Sequence, residues 1–191
     1  MPEALKKPVL SSPVLGVVLF ILAEVMMFAA FISAFVIVKS SYTNWPPMGQ
    51  PRLPVWETAF NSLFLFLSAV TIRGARVAPS SGKAAGASPS TPSGLVLLTL
   101  ILGLAFVGLQ GREWIRLIGY GLTLTSSVYG SFFYVIIGFH ALHVLGAITA
   151  LAFMYGRLRR GRLTAEAFAG VKVFWYFVVA LWPILYSLVY L

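Results

Sequence analysis

Five long apolar runs, separated by short polar stretches, set the pattern of this chain. A bilayer core about 30 Å thick needs about 20 predominantly apolar residues as a helix, and each run meets or approaches that length. The first covers about 14–38 and opens just after Pro13. The second covers about 55–72, with Pro54 just ahead of its first turn, where a missing N–H does no harm. The third covers about 94–110, the fourth about 127–155 and the fifth about 173–191. The fourth is long enough to tilt or to protrude at one end. The fifth contains Pro183, which predicts a kink that neighbouring helices must tolerate. The predicted fold class is all-α: a polytopic integral membrane protein with five transmembrane helices.

Between the second and third runs lies 78–93, a stretch of Ala, Pro, Ser, Gly and Thr that reads as a flexible linker. It divides the sequence into a two-helix and a three-helix block, neither a repeat of the other. One membrane domain over 1–191 is the expected organisation. The start, Met-Pro-Glu-Ala-Leu-Lys-Lys, loosely resembles a signal peptide. The run behind it is too long for the 7–15-residue core of a cleaved signal, so a retained first helix is expected.

Composition points the same way. Hydrophobic residues make up 59% and charged residues 10% of the 191, too oily a mixture to cover itself against water. A soluble enzyme domain, a coiled coil and a disordered region are excluded. Cysteine is absent, which removes disulfides, thiolate metal sites and a cysteine nucleophile. The net charge of +9 would suggest nucleic acid in a soluble protein. Here the basic residues sit between apolar runs, with neither a basic helix nor an aromatic platform, so no nucleic-acid partner is expected.

Those charges carry a topological signal instead. With five spans, one side carries Lys6, Lys7, Arg73, Arg76, Lys83, Arg157, Arg159, Arg160, Arg162 and Lys172, ten in all. The other carries Lys39, Arg52, Arg112 and Arg116, four in all. The positive-inside bias places the N-terminus in the cytoplasm and the C-terminus outside, periplasmic in a prokaryotic inner membrane.

Polar residues inside the runs are few. Glu24 is the one acidic residue deep within a span, Glu57 falling in the first turn of the second, and it lies about 15 Å deep at a rise of about 1.5 Å per residue. A charge at that depth costs at least about 2.5–3.5 kcal/mol, so the carboxyl must be protonated, paired or hydrated. It reads either as a site for a proton, a lipid head group or a polar partner, or as a neutral tie between two helices. His140 and His143, in GFHALHVLG, share one face of the fourth helix. Two histidines on one turn cannot grip a haem from opposite sides, and Glu24 alone could complete a metal site. Hydrogen bonding to another helix or to a lipid is the plainer reading. No G-x-S-x-G, Walker motif or paired aspartates occur, so no catalytic residue and no metal ligand is assigned. Trp45, Trp56, Trp114 and Trp175 near run ends suit an interfacial aromatic belt. Gly130, Ser131, Gly138, Ala141 and Gly146 suit close helix packing.

Four segments together resemble subunit III of the haem–copper oxidases, in the short five-helix form that lacks two N-terminal helices. The first run reads LAEVMMFAAFISAF, like the family's Ser/Ala-Glu-Val-Met-Phe-Phe signature, and a loop with Trp45-Pro46-Pro47 follows. In the second, Asn61 and Ser62 match the family's Asn-Thr. In the third, Thr99, Leu102, Gly103, Phe106, Gln110, Glu113 and Trp114 fall on its pattern. The fourth, YGSFFYVIIGFHALHVLG, is similar to the family's own motif almost throughout.

The resemblance implies a subunit that binds no haem or copper itself; both belong to partner subunits. It implies packing against the catalytic subunit I, with subunits II and IV as further neighbours and a respiratory supercomplex as the largest assembly. It further implies phospholipids held between helix blocks, and support of proton uptake during O₂ reduction coupled to proton pumping. Electrons would come from cytochrome c or quinol. Glu24 falls on the family's carbodiimide-reactive glutamate, and Trp45, Asn61, Gln110, Glu113, Trp114, His140 and His143 become lipid or subunit contacts. Two departures stand out. Where the family's last helix commonly reads Tyr-Trp-His-Phe-Val-Asp, this chain has Phe174-Trp175-Tyr176-Phe177-Val178-Val179, without the His or the Asp. The end of the chain is then expected to face lipid or an unusual partner. Two other readings remain open at this stage: an accessory subunit of nitric oxide reductase, and an independent proton-coupled transporter using Glu24 with the two histidines.

Overall fold

The computed structural model describes residues 12–75 and 92–191. The basic residues Lys6, Lys7, Arg76 and Lys83 and nearly all of the linker at 78–93 lie outside the described residues. The described residues form five helices: α1 (Ser12–Ser40), α2 (Val55–Gly74), α3 (Pro92–Gly119), α4 (Val128–Arg159) and α5 (Ala165–Val189). All five are long and apolar enough to cross a membrane. The protein is an all-helical, multi-span membrane protein.

The helix ends differ from the apolar runs for local reasons. α3 continues past Gln110 to Gly119 through Arg112, Glu113 and Arg116. Those charges break the hydropathy but not the helix, because the arginines stay exposed while Glu113 turns inward. α5 begins at Ala165 rather than near Val173. Its first turns are polar: Thr164 caps the helix by accepting from Ala167 N, and Glu166 sits where the helix dipole favours a negative charge. Ser127 caps α4 by accepting from Gly130 N. Pro54 precedes α2 as its N-cap residue, and α5 runs through Pro183 without interruption.

α5 lies at the centre of the bundle. Trp175, Val178, Trp182 and Leu185 along it are fully buried. α2 pairs closely with α3, while α1 packs against α5 and α4 and makes no helix–helix contact with α2, its neighbour in sequence. The loop between them returns to the bundle at Trp45, whose ring meets Phe35 at 5.7 Å and Tyr129 at 5.3 Å. α1 is the least enclosed helix: Phe28 and Phe35 are its buried residues.

In lipid there is no hydrophobic force between helices, so close approach and interhelical hydrogen bonds hold the bundle. Gly103 of α3 lets the Trp175 ring in so closely that an added Cβ would lie 2.7 Å from its Cη2. Gly130 is pressed against the Thr123 carbonyl, and Gly138 faces Trp114, whereas Gly146 meets open space. Small residues in α4 therefore serve packing at Gly130 and Gly138, but not at Gly146. Trp175 is no part of an interfacial belt: it lies in the core and donates to Ser68 Oγ at 3.1 Å. Trp182 donates likewise to Ser62 Oγ at 2.7 Å. Each serine passes its own proton to a carbonyl of α2, so both indoles are tied to that helix through a saturated hydroxyl.

Candidate functional site

Two polar groups stand inside the bundle at different depths. The first joins α1 to α4 near mid-length. His143 Nε2 lies 2.8 Å from Glu24 Oε2, and both side chains are largely enclosed. His143 Nδ1 lies 2.6 Å from the Phe139 carbonyl, which can only accept, so Nδ1 carries a proton. The close approach of Nε2 to the carboxyl oxygen pairs the two side chains across the α1–α4 interface. Phe28, at 5.5 Å, and Phe174, at 6.4 Å, wall the ring in. A solitary charge is thus avoided at a depth where it would be expensive.

His140 does not join this pair. Although it is three residues from His143, its ring turns toward α5 and stacks on Trp182 at 5.1 Å and 26°. It is 1% exposed, and neither ring nitrogen has a hydrogen-bond partner. The shared face expected from the spacing is therefore divided, because a 60° offset between i and i+3 suffices to aim the rings at different helices. A Glu24–His140–His143 ligand set is not formed. Among the described residues, no group of three or more His, Asp or Glu side chains comes together.

The second group ties α2, α3 and α5 near the end where α2 begins and α3 closes. Glu113 Oε2 accepts from Thr58 at 2.6 Å and Oε1 accepts from Tyr190 at 2.8 Å. Gln110 Nε2 donates to the Tyr190 oxygen at 3.0 Å. Asn61 Nδ2 donates to Gln110 Oε1 at 3.3 Å and to the Phe106 carbonyl at 3.1 Å. The links run in one direction, from Asn61 through Gln110 and Tyr190 to Glu113, so each polarises the next. Glu113 is 6% exposed. Glu24 is accordingly not the one acidic side chain deep inside the bundle: the apolar run ends at Gln110, but α3 continues to Gly119 and carries Glu113 inward.

The remaining positions have simpler surroundings. Trp45 and Trp114 pack against aromatic rings, and their indole N–H groups are buried without a partner. In the last helix Val179, where the resemblance places Asp, is buried within the bundle, while Tyr176, where it places His, is half-buried. Thr58, Ser62, Ser68 and Tyr190 carry much of the interhelical bonding, and of these Ser62 alone falls on a motif match. A signal for the first three was present: positions 58, 61, 62, 65, 68 and 72 form one stripe along α2, and four of them are polar. Nothing in sequence marks Tyr190.

The architecture defines a class first: a five-span membrane protein whose internal polar groups link its helices to one another. Comparison with known proteins then assigns it within that class. A family model described as cytochrome c oxidase subunit III matches residues 5–191. The chain is 31% identical to cytochrome c oxidase subunit 3 of Thermostichus vulcanus over 93% of its own length and 86% of the relative's. It is 32% identical to the probable cytochrome c oxidase subunit 3 of Mycobacterium leprae, over 92% and 85%. With that of Branchiostoma lanceolatum it shares 36% over 92% and 67%. The chain belongs to the cytochrome c oxidase subunit III family.

Proposed function

We propose that this chain is the non-catalytic subunit III of a haem–copper terminal oxidase in a prokaryotic inner membrane. In this reading it packs against subunit I, with subunits II and IV and any supercomplex beyond it. The haem and copper that reduce O₂ belong to those partners. The N-terminus is cytoplasmic and the C-terminus periplasmic, following the distribution of basic residues. Phospholipid fills the space beside α1, and the subunit sustains proton uptake and the working life of the active site.

The observation that carries this reading is the state of α1. Leu19, Leu22, Met26 and Ile37 are 56–74% exposed, which leaves most of the helix for lipid and partner helices. On its inner face sits the Glu24–His143 pair. Such a helix supports a role at a boundary rather than a self-contained transport path. An independent transporter would also need the histidines to converge, and they diverge.

The test compares Glu24→Gln and Glu24→Ala in the purified complex. The expected result is copurification with haem-bearing chains and an initial turnover rate within twofold of wild type. The number of turnovers before inactivation should fall several-fold for Ala and less for Gln, which can still bond His143. Unchanged lifetime and lipid content in both variants would remove the carboxyl from the account. A chain that purifies without redox partners and moves solute alone in liposomes would overturn the subunit role.

A further inference from the structure

Thr58 stands between two acceptors. Its Oγ1 lies 2.6 Å from Glu113 Oε2 and 2.9 Å from the Pro54 carbonyl, one turn back along α2. A hydroxyl has one proton and serves one of them at a time, although its oxygen can also accept. When Thr58 donates to Glu113, the carboxylate receives a hydroxyl at each oxygen, because Tyr190 donates to Oε1 at 2.8 Å. When Thr58 turns its proton to the Pro54 carbonyl, Oε2 must itself carry a proton to keep the short contact. The same heavy-atom positions hold two states, which differ by one proton and one hydroxyl rotation.

The surroundings suit both states. Among the described residues Glu113 forms no ion pair, and Arg116 is engaged with Glu57. A buried carboxylate held by hydroxyls alone lacks the cation that would fix it in the ionised form. In the neutral form the donors run unbroken from Asn61 through Gln110, Tyr190 and Glu113 to Thr58, and end on the Pro54 carbonyl. Each link in such a chain strengthens the next. A cleft of about 390 Å³ between the first turns of α2 and the last turns of α3 gives access, lined by Glu113 together with Glu57, Arg112 and Arg116. Those three are exposed. From α5, Tyr186 donates to the Val55 carbonyl beside Tyr190, and α4 meets the site with the Phe133 ring against Tyr190 at 5.8 Å.

We propose that Glu113 is a reversible proton-binding site, exchanging with water through this cleft, with the Thr58 hydroxyl as the pivot between its two states. On uptake, a hydronium ion in the cleft gives its proton to Oε2, a new O–H bond forms and water is left behind. The Thr58 hydroxyl then turns from Oε2 to the Pro54 carbonyl and accepts the new proton in a hydrogen bond. Release runs the same steps backward, and no electron moves. This site lies apart from the Glu24–His143 pair, on other helices and at another depth. Its failure would leave the subunit role intact, and failure of that role would leave the site intact.

The test is infrared difference spectroscopy on the full chain in detergent, stepped through pH in H₂O and in D₂O. The unaltered chain should show the carbonyl band of a protonated carboxylic acid that grows as pH falls, fades as pH rises and shifts in D₂O. Glu113→Gln should lose that band and still fold, because its amide can accept from Tyr190 and donate to Thr58 as the neutral acid does. Tyr190→Phe should move the band to higher frequency by freeing the carbonyl oxygen. Thr58→Ser should titrate like the unaltered chain. Thr58→Val takes the hydroxyl from both states, and the ionised one loses the stronger bond, so proton affinity should rise about tenfold. No band lost in Glu113→Gln at any pH, a band that neither titrates nor responds to D₂O, or a Thr58→Val titration like that of the unaltered chain would each overturn the proposal.

Discussion

Tyr190 shows how much one hydroxyl can carry inside a membrane bundle. It donates to Glu113 and accepts from Gln110, so Tyr190→Phe strands both a carboxylate oxygen and an amide N–H. Loss of a buried partner costs about 1–3 kcal/mol, more when the group left behind is charged. Thermal unfolding of the purified chain should therefore show a lower Tm for Tyr190→Phe, and a similar fall for Glu113→Leu. The double variant should cost less than the two added together, because the residues share one interaction. Individual residues were unevenly legible. Glu24, Asn61, Gln110, Glu113 and His143 could be picked out because a polar group in an apolar run, or a run of motif matches, is visible without coordinates. Their partners could not be assigned: nothing in one dimension says that Glu24 meets His143 while His140 meets Trp182. That choice depends on the angle at which α1 and α5 cross α4.

At the scale of the helix, hydropathy located all five elements and misjudged their ends wherever a helix carries charge. Arg112, Glu113 and Arg116 ended the apolar run but extended α3, since a helix leaving the bilayer can show arginine to the interface and bury glutamate on its other side. Lys172 and Glu166 hid the start of α5 in the same way. Glycines in these helices are not equivalent, and this can be measured. A Cβ at Gly103 strikes the Trp175 ring, and one at Gly130 strikes the Thr123 backbone, whereas Gly108 faces open space. Gly103→Ala should cost about 1–3 kcal/mol by overpacking. Gly130→Ala should cost at least as much, because a carbonyl yields less readily than a ring. Gly108→Ala should stay within about 0.5 kcal/mol of the unaltered chain. Stability in detergent, ranked across the three, decides the matter.

Across the whole molecule, order in sequence is a poor guide to adjacency. The linker at 78–93 divides the chain after two helices, yet α2 finds its main partner, α3, on the far side of that division, and α1 finds α5. Contacts that cross the linker therefore outnumber any made within the first block. Two fragments, 1–80 and 85–191, produced together should assemble and copurify, with Thr71 still hydrogen-bonded to Thr99 and Trp182 to Ser62. Disrupting the interface by Trp182→Ala should release the first fragment. Recovery of the second fragment alone from the unaltered pair would contradict the observed pairing.

The distance in sequence between α1 and α5 bears on how the chain is made. A ribosome delivers α1 first and α5 last, so α1 must wait in lipid through the synthesis of three other helices before its principal partner exists. α2, with its stripe of hydroxyl and amide groups, waits for none, since α3 follows it directly. The most apolar helix bears the longest delay, and the most polar face the shortest. Translation arrested before residue 165 would leave α1 attached to α4 by little more than Glu24, His143 and a few aromatic rings.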